Sequence, residues 1–155
     1  MTAYQSLCEV VSEIALLTST EAVLGWDQET YMPAHALEHR ARQLSYLTGK
    51  AHGLLTSKKT LKLLERAEKE MPENPTHAAN VRGLRRDIDR ATKLPQKLVE
   101  EESEVCAHAK AAWVEARGKS NFLMFAPHLE KVLGIARKKA DLFGYEDEPY
   151  DALLD

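Results

Sequence analysis

Leu24-Gly25-Trp26-Asp27-Gln28-Glu29-Thr30-Tyr31-Met32-Pro33 gathers an indole, two carboxylates, an amide, a hydroxyl and a phenol into one short stretch. Pro33 cannot continue a helix and restricts Met32 before it. The residues ahead of it carry helical periodicity, so the stretch reads as the last turn of a helix. A carboxylate there faces the negative end of the helix dipole, at a cost of about 0.3–1 kcal/mol when exposed. Asp27 and Glu29 therefore either point into water or take a cation from elsewhere in the fold.

The densest cationic stripe is Arg82, Arg85, Arg86 and Arg90, spaced i, i+3, i+4 and i+8. Three readings are open. The stripe could contact an anion such as a peptide's terminal carboxylate or a phosphate. It could be a solvated face neutralised by Asp87 and Asp89. It could also supply the partners of Asp27 and Glu29. In that last case the helix before Pro33 packs beside the helix after Pro75, with Trp26 at the contact. Trp26 and Trp113 read as core anchors, and Tyr31, next to the Pro33 break, as a residue at a cleft edge. Trp26, Asp27, Glu29, Tyr31, Arg82, Arg86 and Arg90 thus form the candidate set, as cleft lining or as a structural polar network.

His35-Ala36-Leu37-Glu38-His39 matches the inverted zinc motif His-x-x-Glu-His. On a helix the two histidines share a face one turn apart, but zinc needs at least a third ligand. The simpler reading is two solvent-facing histidines. His52, His77, His108 and His128 lack a neighbour at ligand spacing. No Cys-x-x-Cys, nucleophile elbow or glycine-rich phosphate loop occurs. Glu100, Glu101, Glu102 and Glu104 read as a solvated acidic face near a helix N-terminus, where the dipole favours them. No catalytic residue emerges from the chain.

Several helices must position these groups. Leu7, Val10, Val11, Ile14 and Leu17 mark one buried face over about 2–17. Thr18-Ser19-Thr20 then offers a cap or a kink, and a second piece runs to Pro33. Leu37, Ala41, Leu44, Leu47, Ala51 and Leu54 define a helix over about 35–55. Ser57 caps a third, and Met71-Pro72-Glu73-Asn74-Pro75 breaks the chain. Another helix follows to Leu94, and one from Pro95 to about Gly118. Pro127 opens the last long helix, Gly144 stops it, and an acidic tail follows. The expected fold is all-α: about seven mostly antiparallel helices in a single domain spanning 1–155, with no sheet.

The chain's 155 residues are enough to bury roughly 68–70% of the unfolded surface. Hydrophobic residues make up 44% and charged ones 29%, with a net charge of −3, which favours neither nucleic acid nor an anionic membrane. Cys8 and Cys106 are too few for a disulfide framework. No apolar run is long enough to span a bilayer, and no basic leader precedes one. The expected location is the cytoplasm.

The opening stretch also resembles a family signature, that of the carboxypeptidase Taq family of zinc metallocarboxypeptidases. The resemblance continues through Arg40-Ala41-Arg42-Gln43-Leu44, Val81-Arg82, Arg85-Arg86-Asp87 and Asp89-Arg90-Ala91-Thr92-Lys93-Leu94-Pro95. It then takes in Ala112-Trp113, Ala116-Arg117, Phe125-Ala126-Pro127-His128-Leu129-Glu130 and Pro149 to Asp155. It implies an enzyme in which a metal-activated water cleaves the last peptide bond of a peptide. The family's His-Glu-x-x-His motif and downstream Glu, which hold the zinc or another divalent metal, would lie beyond Asp155. The resemblance therefore implies a cleft-wall or lid region, inactive and metal-free by itself. Its partner would be a C-terminal catalytic region or a second copy, and peptide substrate would meet it only in a complete enzyme. A stand-alone helical binding or oligomerisation module on the same scaffold is the alternative. A free-standing hydrolase built on His35 and His39 is a third.

Overall fold

The computed structural model describes residues 2–70 and 74–154. Among them lie six α-helices and two single 3-10 turns, with no strand. The helices are α1 (Ala3–Thr30), α2 (Leu37–Leu55), α3 (Lys58–Lys69), α4 (Pro75–Thr92), α5 (Gln96–Gly118) and α6 (Phe122–Phe143). The 3-10 turns cover Ala34–Ala36 and Asp151–Leu153. None of these helices is long and apolar enough to cross a membrane.

The starts of the helices follow from local chemistry. Thr2 and Gln5 form a reciprocal capping box at α1, with the Gln5 N–H donating to Thr2 Oγ1 at 3.2 Å and the Thr2 N–H to Gln5 Oε1 at 2.9 Å. Ser57 caps α3 through the Thr60 N–H at 3.1 Å. Asn74 caps α4 ahead of Pro75, and Asn121 caps α6. Gly144 stops α6 at φ +85°, where a Cβ would be strained.

Two small cores hold the first five helices, and α1 belongs to both. Near its start, Ala3 and Leu7 pack with Leu64 and Ala67 of α3 and Val81 and Ile88 of α4. Near its end, Leu24 packs against Ala41 and Leu44 of α2 and Ala107 of α5. The α2–α5 crossing is close because Gly49 has no side chain: a Cβ there would lie 2.2 Å from Glu100 Oε1. Ser45 Oγ donates to the Glu100 carbonyl at 3.1 Å beside it.

Five expectations are corrected. Thr18-Ser19-Thr20 neither caps nor kinks. Each hydroxyl donates back to its own helix, Thr18 to the Ile14 carbonyl at 3.1 Å, Ser19 to Leu16 at 3.0 Å and Thr20 to Leu16 at 2.8 Å. The two expected pieces are thus one continuous α1, and six helices replace about seven. Pro127 does not open the last helix but sits inside α6, which starts at Phe122. Its missing N–H leaves the Leu123 carbonyl without a helical donor, at a residue 80% exposed to solvent. Trp26 and Trp113 are not core anchors: they are 58% and 48% exposed. The stretch from Tyr145 to Leu154 is not simply an acidic tail. Ala152 is buried, and its carbonyl accepts from Arg90 Nη2 at 3.0 Å. The acidic run on α5 is not simply solvated either, since Glu102 takes Lys139 of α6 at 2.7 and 2.9 Å. Of the expected loop over Met71 to Pro75, residues 71–73 lie outside the described residues, as does Asp155.

Candidate functional site

The end of α1 is fastened to two neighbouring helices by alternate residues. Asp27 faces α2, where its carboxylate accepts from Arg40 Nη2 at 2.6 Å. The Arg40 side chain is only 11% exposed, and the same guanidinium also donates to the Leu24 carbonyl and, at 3.2 Å, to Gln43 Oε1. The Asp27 carbonyl takes the N–H groups of both Tyr31 and Met32, at 3.0 and 2.9 Å, which closes the helix before Pro33. Glu29 pairs with Lys110 of α5, a half-exposed contact. Gln28 lies between them. Its Nε2 donates to the Ala107 carbonyl at 3.3 Å, and its buried Oε1 lacks a protein donor.

Two grooves meet at this point. One, of about 530 Å³, runs between α1, α2 and α5 past Glu21, Leu44, Thr48, Ser103 and Cys106. The other, of about 770 Å³, is lined by Met32, Leu37, Trp113, His108 and His128. Gln28, Glu29 and Lys110 line both. In the first, Thr48 Oγ1 is 2.6 Å from Glu21 Oε1 and 3.3 Å from Ser103 Oγ. Burial, with the nearby Glu102 carboxylate, raises the Cys106 thiol above its ordinary value, so it is not an activated nucleophile. In the second, His108 Nδ1 sits 2.8 Å from the Glu104 carbonyl and Nε2 3.0 Å from the Glu38 carboxylate. Both contacts suit a ring that donates from both nitrogens. The Glu104 carbonyl first, then Glu38, raise the His108 pKa against partial desolvation.

The arginine stripe does not reach the opening motif. Arg85 instead holds Glu68 of α3 through two contacts of 2.7 Å and reaches Asp89 at 3.3 Å. That contact lowers the Glu68 pKa and raises that of Arg85. Arg90 stacks over the Phe143 ring at 4.1 Å. Arg82 and Arg86 are exposed on α4. The physical reason is the direction of α4. It meets α1 at that helix's start, where Asn80 Nδ2 donates to the Tyr4 hydroxyl at 3.0 Å and His77 stacks on the Tyr4 ring. Asp27 lies about 35 Å further along the axis, at 1.5 Å per residue. Trp26 makes an edge contact with Tyr31, itself 76% exposed, and neither lies against α4's arginines.

Arg40 and Lys110 are the partners that residue-type reasoning missed. For Arg40 a signal existed. A helical hairpin turning at Pro33 returns residues equidistant from the turn, and Asp27 and Arg40 flank Pro33 nearly symmetrically. For Lys110, on a helix distant in sequence, there was none. His35 and His39 are both exposed, one in the 3-10 turn and one on α2. Among the described residues, no group of three or more His, Cys, Asp and Glu side chains is placed to hold a metal. These residues do not fit a metal ion, and no chemical step runs through one here.

The family model for carboxypeptidase Taq (M32) metallopeptidases matches residues 6–155. A thermostable carboxypeptidase 1 of Pyrococcus furiosus is 38% identical over 87% of this chain and 27% of its own length. One of Thermus thermophilus is 35% identical over 99% of this chain and 32% of its own. Among solved structures, BsuCP superposes on all of this chain with a TM-score of 0.95 and 26% identity, using 31% of its own length. A Pyrococcus furiosus carboxypeptidase superposes with a TM-score of 0.76 and 34% identity, over 31% of its length. The chain thus spans about a third of the relatives it matches.

Proposed function

The chain belongs to the carboxypeptidase Taq (M32) metallopeptidase family, and from that premise we propose that it serves as the N-terminal helical region of a zinc metallocarboxypeptidase. In this reading it walls or covers the cleft in which the enzyme removes C-terminal residues from peptides. The observation that carries the reading is the superposition on BsuCP over every residue of this chain at a TM-score of 0.95. The geometry at the end of α1 supports it. Asp27 and Arg40 lock the turn structurally, while Glu29, Lys110 and Gln28 line grooves open to a ligand. Trp26 and Tyr31 pack against each other at the same end of α1, and Arg82, Arg86 and Arg90 lie apart on α4. The metal, zinc by the resemblance, would be held by residues outside this chain. Two free thiols, Cys8 and Cys106, support a reducing, cytoplasmic setting.

A fusion tests the reading. This chain replaces the matched N-terminal part of Bacillus subtilis carboxypeptidase 1, a relative of which it covers 30%. The fusion should release C-terminal residues from blocked dipeptides in a metal-dependent way. The 155-residue chain alone should not, with or without added zinc or cobalt. A folded but inactive fusion would count against the reading. Turnover by the chain alone that vanishes on His39→Ala would replace it with the histidine-based hydrolase.

A further inference from the structure

We infer that the outer face of α1 between Ala15 and Trp26 is the surface on which the catalytic region of the longer enzyme docks, an inference that rests on the reading above. In that span Glu21 is the sole charged residue, and it turns inward to Thr48 at 2.6 Å. Outward stand Leu16, Val23 and Trp26, which are 70%, 63% and 58% exposed. Their spacing, i, i+7 and i+10, puts them on one side of the helix, opposite the buried Leu7 and Val10. A surface helix normally carries charges on its outer face, and one apolar on every side is a buried helix.

The polar groups on this face are already satisfied. Ser19 and Thr20 spend their hydroxyl protons on carbonyls of the preceding turn. Covering them leaves no donor unpaired, so the usual desolvation penalty does not oppose burial. A face meant for water gains nothing from this arrangement.

The area decides between occupants. The stretch is about 18 Å long and about 10 Å wide, a footprint near 180 Å². A stable pair of separate copies needs about 800 Å² from each. A second copy held by this face alone is therefore too weakly bound. A region of the same polypeptide needs no such area, because its association is intramolecular. The matched relatives carry about two-thirds of their length outside the part that this chain covers.

The test reads the accessibility of a thiol placed on the face. Ser19→Cys is made in a Cys8→Ala, Cys106→Ala background, in the chain alone and in the Bacillus subtilis fusion. The thiol should label freely in the chain alone and at least about 100-fold more slowly in the fusion, as a group reachable only by local opening. Equal rates in an active fusion would overturn the docking face and leave the proposed function standing. Slow labelling in a folded, inactive fusion would do the reverse. Protection in the chain alone, lost on dilution, would assign the face to a second copy and overturn the proposal. If the fusion does not fold, the two parts are co-produced and recovered through a tag on this chain. Absence of the catalytic part from the eluate, or its retention despite Val23→Arg, would also overturn it.

Discussion

Asp27 and Glu29 lie two residues apart and are held by cations of different helices, so one truncation should read differently at each. Arg40 is nearly buried, and Asp27→Ala leaves its guanidinium with neutral acceptors only. The loss should be about 1.5–3 kcal/mol, the range for a hydrogen bond to a charged group. Glu29→Ala opens a pair with both members about half exposed, and should cost less than about 1 kcal/mol. Urea melts of the two variants check this, and equal losses would contradict the geometry. His108 supplies a pH dependence. Its folded pKa is raised above the ordinary 6.5, so its contribution is complete below about that pH. Stability should then fall as pH rises through the folded value. His108→Gln should flatten that slope, and an NMR titration should place the ring above its unfolded value. The carboxylates were legible as strained at a helix end, because dipole and proline chemistry are local. Their partners were not, because residue type alone cannot say which helix face meets which. The His108–Glu38 contact bridges α2 and α5 and left no trace in either local sequence.

Helix ends were read well wherever one side chain decides them, as at Ser57 and Gly144. They were misread where the same side chain has two uses. Thr18-Ser19-Thr20 is cap chemistry in isolation, yet inside a helix apolar on both flanks the hydroxyls fold back and the helix continues. Pro127 was misread similarly, since a proline in the second turn loses its bond at an exposed carbonyl and ends nothing. The α2–α5 crossing gives a prediction for a pair of elements. Gly49→Ala places a methyl within 2.7 Å of Glu100 Cγ, so Glu100 must swing away and give up its 2.7 Å contact with Gln96. The expected loss is about 1–3 kcal/mol, the range for overpacking. Glu100→Ala should recover most of it. Two losses that simply add in a double-mutant cycle would show that the helices part instead.

Across the whole molecule, stability should be uneven, because α1 to α4 and α5 to α6 are held by different means. Leu7, Leu64 and Ile88 are fully buried where α1, α3 and α4 meet. Leu64→Ala there should cost about 2–5 kcal/mol, as for a filled core position. Along α6, by contrast, Ile135 and Ala140 are the buried residues, while Phe122, Leu123, Leu133 and Leu142 remain exposed. Polar tethers do much of the rest: Glu102 to Lys139, Glu101 to Lys138 at 3.9 Å, and Lys93 to the Phe143 carbonyl at 3.0 Å. Few buried apolar contacts mean a low cost of local opening. Native-state hydrogen exchange on the isolated chain should therefore find α6 opening before the helices of the first core. Salt should separate the two further, since exposed ion pairs are screened while buried apolar contacts are not. Raising the ionic strength should speed exchange in α6 more than in α3 and the start of α1. Uniform protection across all six helices would show that α6 is bound by its apolar face after all.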